Sequence, residues 1–175
     1  MTEDEVRDNF AKHLGYFTWV WADLLESVGE IFCVLKKGAL NNHSFEEWQA
    51  LESDGRKLQE LRKIAQTKLP LSSDASQAIR WLVGEISSLR DTRNQLVHAS
   101  FAILHHADGR SSIIPSDWHR NRRSIELAEE FSDGGLVEKL IECRRYLDSL
   151  MLFCGDLYQH LVDPEARPVP QRPSK

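Results

Sequence analysis

Cysteine is scarce in this chain, and what there is lies scattered: Cys33, Cys143 and Cys154 form no C-x-x-C pair. An odd number at wide spacing argues against a disulfide framework or a zinc ribbon, and the apolar neighbours of each predict buried free thiols. Long hydrophobic runs are also missing; no stretch approaches the ~18 apolar residues of a membrane span. There is no phosphate-binding loop, no G-x-G-x-x-G fingerprint, no G-x-S-x-G elbow and no H-E-x-x-H. Their absence removes the commonest nucleotide, hydrolase and metalloprotease readings. Internal repeats and low-complexity tracts are lacking as well. The first residues, Met1-Thr2-Glu3-Asp4-Glu5, are acidic where a signal or transit peptide is basic, so a cytoplasmic location is expected.

What is present is the balance of a soluble globular domain: 175 residues, 41% hydrophobic and 28% charged. The net charge of −5 argues against a general nucleic-acid binder. The distribution is uneven, however. Residues 1–60 are acidic, whereas residues 88–123 hold Arg90, Arg93, Arg110, Arg120, Arg122 and Arg123 against Asp91, Asp108 and Asp117. That segment also carries His98, His105, His106 and His119. A local basic stretch of this kind can face a phosphate even on an acidic protein; the plainer alternative is a solvated face.

Apolar residues at steps of three and four, from Val6 through Phe10, Leu14, Phe17, Trp21, Leu24, Val28 and Ile31 to Leu35, predict one long amphipathic helix ended by Gly38 and the Asn41-Asn42 pair. Ser44 with Glu47 reads as a capping box opening a second helix that runs to Pro70. Ser72-Ser73-Asp74 opens a third, with the stripe Ile79, Leu82, Ile86, Leu89, Arg93 and Leu96, ending near His98. Phe101–Leu104 and Ser112–Ile114 around Asp108-Gly109 predict a β-hairpin. Residues 119–133 read as a charged link with a short helix or strand. Gly134-Gly135 precedes a last long helix from Leu136 to Leu161. The fold expected is all-α: an antiparallel bundle of four main helices with a small hairpin inserted after the third. One domain spans 1–162, and the tail 163–175, with four prolines, is expected to be disordered. Trp19, Trp21 and Trp48 read as core or dimer-interface anchors.

The end of the third helix carries the chemistry. Measured around a helix at ~100° per residue, Ile79, Leu82, Ile86, Leu89, Leu96 and Val97 lie within roughly 60° of Arg93. Arg93 therefore sits on the apolar seam. A guanidinium there needs a counterpart: a carboxylate of a neighbouring helix, a partner chain or an anionic ligand. His98 lies ~140° from Arg93, whereas Asn94 and His98 share a face at i and i+4. Either the helix distorts between Arg93 and His98, or the arginine reaches across, or a second chain completes the site. His98 is a candidate acid or base, since imidazoles titrate near neutrality; the plainer role is a C-terminal cap.

The run Arg93-Asn94-Gln95-Leu96-Val97-His98 resembles the signature of the HEPN family (higher eukaryotes and prokaryotes nucleotide-binding domains): an arginine, a polar residue after it, and a histidine after four to six intervening residues. Arg7-Asp8 with His13 fits the same spacing but lies at the exposed start of the first helix. The resemblance covers most of the chain and implies a metal-independent endoribonuclease that cleaves RNA through its own 2′-hydroxyl, at a site shared across a homodimer. The implied setting is a toxin or defence effector with a neutralising antitoxin partner. Arg93, Asn94 and His98 are the expected catalytic residues, and Arg90, Arg120, Arg122 and Arg123 the expected substrate-binding ones. No cofactor and no membrane are expected. The alternative is a non-catalytic HEPN module that binds a protein or a nucleotide. Family members that partner minimal nucleotidyltransferases carry a tyrosine two residues after the histidine; here Ser100 stands there, which speaks against the adenylylated-tyrosine mode. A metal site built from His105, His106 and His119 with Asp108 or Asp117 is disfavoured, because adjacent histidines on a strand face opposite ways.

Overall fold

The computed structural model describes residues 2–98, 100–116, 131 and 135–174. Among them are five helices and one antiparallel pair of strands: α1 (Glu3–Lys37), α2 (Asn42–Gln49), α3 (Asp54–Lys68), α4 (Asp74–His98), β1 (Ser100–His105), β2 (Ser111–Ser116) and α5 (Leu136–Val162). The fold is mainly helical, and no helix among the described residues is long and apolar enough to cross a membrane. The chain divides into two compact units, residues 1–20 with 91–145 and residues 21–90 with 146–175.

In the first unit, α1 buries Val6, Phe10 and Phe17 at the predicted helical spacing, and α4 buries Leu96. The hairpin pairs Phe101 with Pro115 and Ile103 with Ile113. Its turn closes through His106 N–H to the Arg110 carbonyl at 2.8 Å, and Gly109 takes φ +81°, a conformation that costs glycine little. Phe101 packs on Phe10 of α1 with ring centroids 4.6 Å apart. Gly135, at φ +86°, leads into α5, which buries Leu136, Leu140 and Cys143.

In the second unit, Trp21, Leu24, Val28 and Ile31 of α1 are buried, together with Ile79, Leu82 and Ile86 of α4 and Leu147, Leu150 and Leu157 of α5. Here the expected single helix from Ser44 to Pro70 is two. Asn41, not Ser44, is the first N-cap: its side chain accepts from Ser44 N–H at 2.8 Å, and Ser44 is buried inside the first turn. Asparagine caps as well as serine and stands earlier, while Glu47 is taken by Lys36 and His43 and cannot close a capping box. The break follows Ala50. Ser53, with extended backbone, accepts from Arg56 N–H and starts α3 afresh. Trp48 then donates its indole N–H to the Leu25 carbonyl at 3.1 Å, and Trp21 donates to Asp54 at 3.0 Å. Residues 163–174 form neither helix nor strand; Arg172 lies 5.7 Å over the Trp81 ring.

Candidate functional site

α4 reaches His98 without a break, so the helix does not distort between Arg93 and His98. Leu96 is fully buried between them and anchors this last turn and a half. Arg93 is half-buried. Its Nη1 donates to Asn94 Oδ1 at 2.8 Å, and its Nε is enclosed without a hydrogen bond among the described residues. The arginine thus bends around the helix by one residue, toward the face that Asn94 shares with His98. Of the three arrangements drawn from the sequence, the unbroken helix removes the distortion.

His98 is exposed at the last helical position, and no described residue hydrogen-bonds its ring. A cationic imidazole there meets the negative end of the helix, where the final carbonyls point outward. β1 starts two residues on, so the strand direction fixes how the chain leaves the motif.

The other sequence-predicted residues separate. Arg90 belongs to the second unit, where a side chain added at Gly55 would come within 2.9 Å of its Nη1; it has a structural neighbour in α3. Arg120, Arg122 and Arg123 lie outside the described residues. The duplicate motif on α1 is dispersed: Arg7 is exposed and pairs with Asp4 at 3.3 Å, and His13 is half-buried with Nδ1 enclosed. His105 meets Ser111 and Glu3, each at 3.0 Å, and His106 meets Ser112 at 2.9 Å. Asp108 is bound by Arg110, whose backbone N–H and guanidinium hold its carboxyl below the ordinary value. Among the described residues no three histidine, cysteine, aspartate or glutamate side chains are grouped to hold a metal.

A cleft of about 290 Å³ opens in the first unit between Val6 and Asn9 of α1, the hairpin residues His106 and Arg110–Ile113, and the start of α5. Of its polar groups, His106 is bonded to Ser112, and Arg110 is paired with Asp108. Of the three tryptophans expected as core or dimer-interface anchors, two lie in the core. Trp21 and Trp48 are buried, but Trp19 is 64% exposed. Helical phase carries the signal: Trp19 falls ~200° from Phe17, off the buried stripe. Comparison of the chain with protein-family models, with curated proteins and with solved structures finds no match.

Proposed function

We propose that this chain is a HEPN-type endoribonuclease that cleaves RNA by attack of the RNA's own 2′-hydroxyl, at a site shared across a homodimer. The observation that carries this reading is the Arg93–Asn94 hydrogen bond on an unbroken α4 that ends on exposed His98. It gathers a cation, an amide and a titratable imidazole at one helix end, the set that phosphodiester transesterification needs. On this reading, α1, the α2–α3 pair, α4 and α5 are the four main helices of an antiparallel HEPN bundle. A toxin or defence role, with an antitoxin as neutralising partner, belongs to the same proposal.

The steps follow from the groups. A neutral His98 takes the proton of the 2′-hydroxyl, and the oxygen attacks phosphorus. The bond from phosphorus to the 5′-oxygen breaks, and a protonated His98 of the partner subunit delivers a proton to that oxygen. The products are a 2′,3′-cyclic phosphate and a 5′-hydroxyl. Arg93 holds the non-bridging oxygens with its planar fork, and Asn94 fixes the direction of that fork. Arg90, Arg120, Arg122 and Arg123 would bind the flanking phosphates.

Single-stranded RNA should be cut in excess EDTA, and the product should end in a cyclic phosphate. Arg93→Ala and His98→Ala should each lower the rate by ~10²-fold or more. The double variant should be little worse, because residues acting as a unit are non-additive. Arg7→Ala should cut like the parent. Light scattering should give twice the mass of the chain. A monomer that still cuts removes the shared site. Activity lost on chelation and restored by a divalent metal removes the mechanism. A dimer that never cuts leaves the non-catalytic module.

A further inference from the structure

Trp19 is the most exposed of the described tryptophans, and its surroundings on α1 differ from the rest of the surface. Tyr16, three residues earlier and on the same face of the helix, is 39% exposed. Arg144 of α5 lies over the Tyr16 ring, 5.8 Å from its centroid. Arg144 is half-buried, its Nε is enclosed without a hydrogen bond, and among the described residues no carboxylate pairs with it. Lys12, one turn before Tyr16, is exposed and likewise in no ion pair among the described residues. All of these residues belong to the first unit.

Two absences sharpen the picture. Residues 9–20 contain no aspartate or glutamate, in a chain that holds 27 of them and is −5 overall. Gly15 sits within α1 although a side chain there would meet nothing within 4 Å. Mid-helix glycine weakens a helix, and no packing neighbour requires it here. It is four residues before Trp19 and three after Lys12, so it leaves a shallow notch between an indole and an ammonium. Exposed ring faces, cations in no ion pair among the described residues, a stretch of helix without an acid and open space over Gly15 are what a single nucleic-acid strand uses: bases stack on aromatic faces, and phosphates follow the cations.

We infer that Trp19, Tyr16, Lys12 and Arg144 form a stacking site for a single strand of RNA, separate from the Arg93–His98 motif. The site takes its ligand class from the RNA reading above. One base stacks on Trp19 over Gly15, and the phosphates beside it meet Lys12 and Arg144. A second copy of the chain fits this face less well. A two-fold contact centred on it would set Lys12 and Arg144 against their own equivalents, with no acid in residues 9–20 to relieve them.

The probe is a labelled 2′-O-methyl strand of roughly ten nucleotides, which lacks the attacking hydroxyl and so separates binding from cleavage. Binding is read by fluorescence anisotropy on the full chain. Trp19→Ala should weaken binding by about 10-fold or more, while Trp19→Phe, which keeps a ring face, should stay within about 3-fold of the parent. Lys12→Glu, at an exposed position, should weaken binding and flatten its dependence on salt. Should Trp19→Ala fail to fold, Lys12→Glu and Trp19→Phe decide the matter. The site is overturned if the parent does not hold the strand at low salt, or if Trp19→Ala and Lys12→Glu bind as the parent does. It is also overturned if Trp19→Ala turns a dimer into a monomer, which would make this face a contact between copies. A parent that binds but never cuts natural RNA refutes the nuclease and leaves the site. A parent that cuts, with Trp19→Ala binding normally, refutes the site and leaves the nuclease.

Discussion

Asn94 shares a helix face with His98, one turn on, and its side-chain oxygen accepts a hydrogen bond from Arg93, its neighbour in sequence. The bond is a matter of reach: a guanidinium on a long stem can turn back to the adjacent residue, which a pattern of helical angles does not register. Buried thiols give a second residue-scale result with a measurable edge. Cys33, Cys143 and Cys154 are free and buried. Burial, and then the carboxylate of Glu30, push the Cys154 thiol up to about 12, and burial raises Cys33 as well. A thiol whose folded value is raised holds its proton longer in the folded state. Its contribution to stability is therefore complete below the unfolded value, near ~8.5, and is lost as the pH climbs toward the folded one. A disulfide reagent at pH 8 should leave the native protein almost untouched and titrate three thiols in guanidinium. The melting temperature should fall between roughly pH 9 and 12. Prompt labelling of the native protein would contradict the burial described here.

At the scale of elements, α2 is seated on α1 by a missing side chain. A Cβ at Gly29 would stand 2.6 Å from ring atoms of Trp48 and 3.1 Å from Phe45. Trp48 is 1% exposed and tied to Leu25, so its ring cannot retreat. Gly29→Ala should cost about 1–2 kcal/mol net, the strain of overpacking less the gain in helix propensity. Gly84→Ala, on an exposed face of α4 with nothing within 4 Å, should instead add about 0.5–1 kcal/mol. Urea titration of the two variants reads both signs. The long helices and the hairpin were legible in the sequence because periodicity and an Asp-Gly turn are local signals. The break after Ala50 was not, because Leu51 continues the apolar stripe and a serine such as Ser53 serves as a cap only where the preceding helix has already ended. The Arg93–His98 motif was legible as a spacing. The exposure of Trp19 was legible only to phase, and composition pointed the other way.

For the molecule as a whole, the acidic balance and the basic stretch at 88–123 belong to one chain, so on the proposed nuclease reading any RNA affinity should be local and strongly dependent on salt. The division into two units has a further consequence. It falls between residues 20 and 21, 90 and 91, and 145 and 146, inside α1, α4 and α5 rather than at their ends. Proteins open in cooperative pieces that follow their compact parts, so a helix belonging to two parts opens in two pieces. Amide deuteration of the native protein should then trace two plateaus of protection along each long helix, with the step at the division. Slow exchange should not belong to a helix as such, but to whichever portion of it shares a core, and the boundary of a hydrophobic cluster becomes visible as a change of rate in the middle of a continuous ladder of hydrogen bonds.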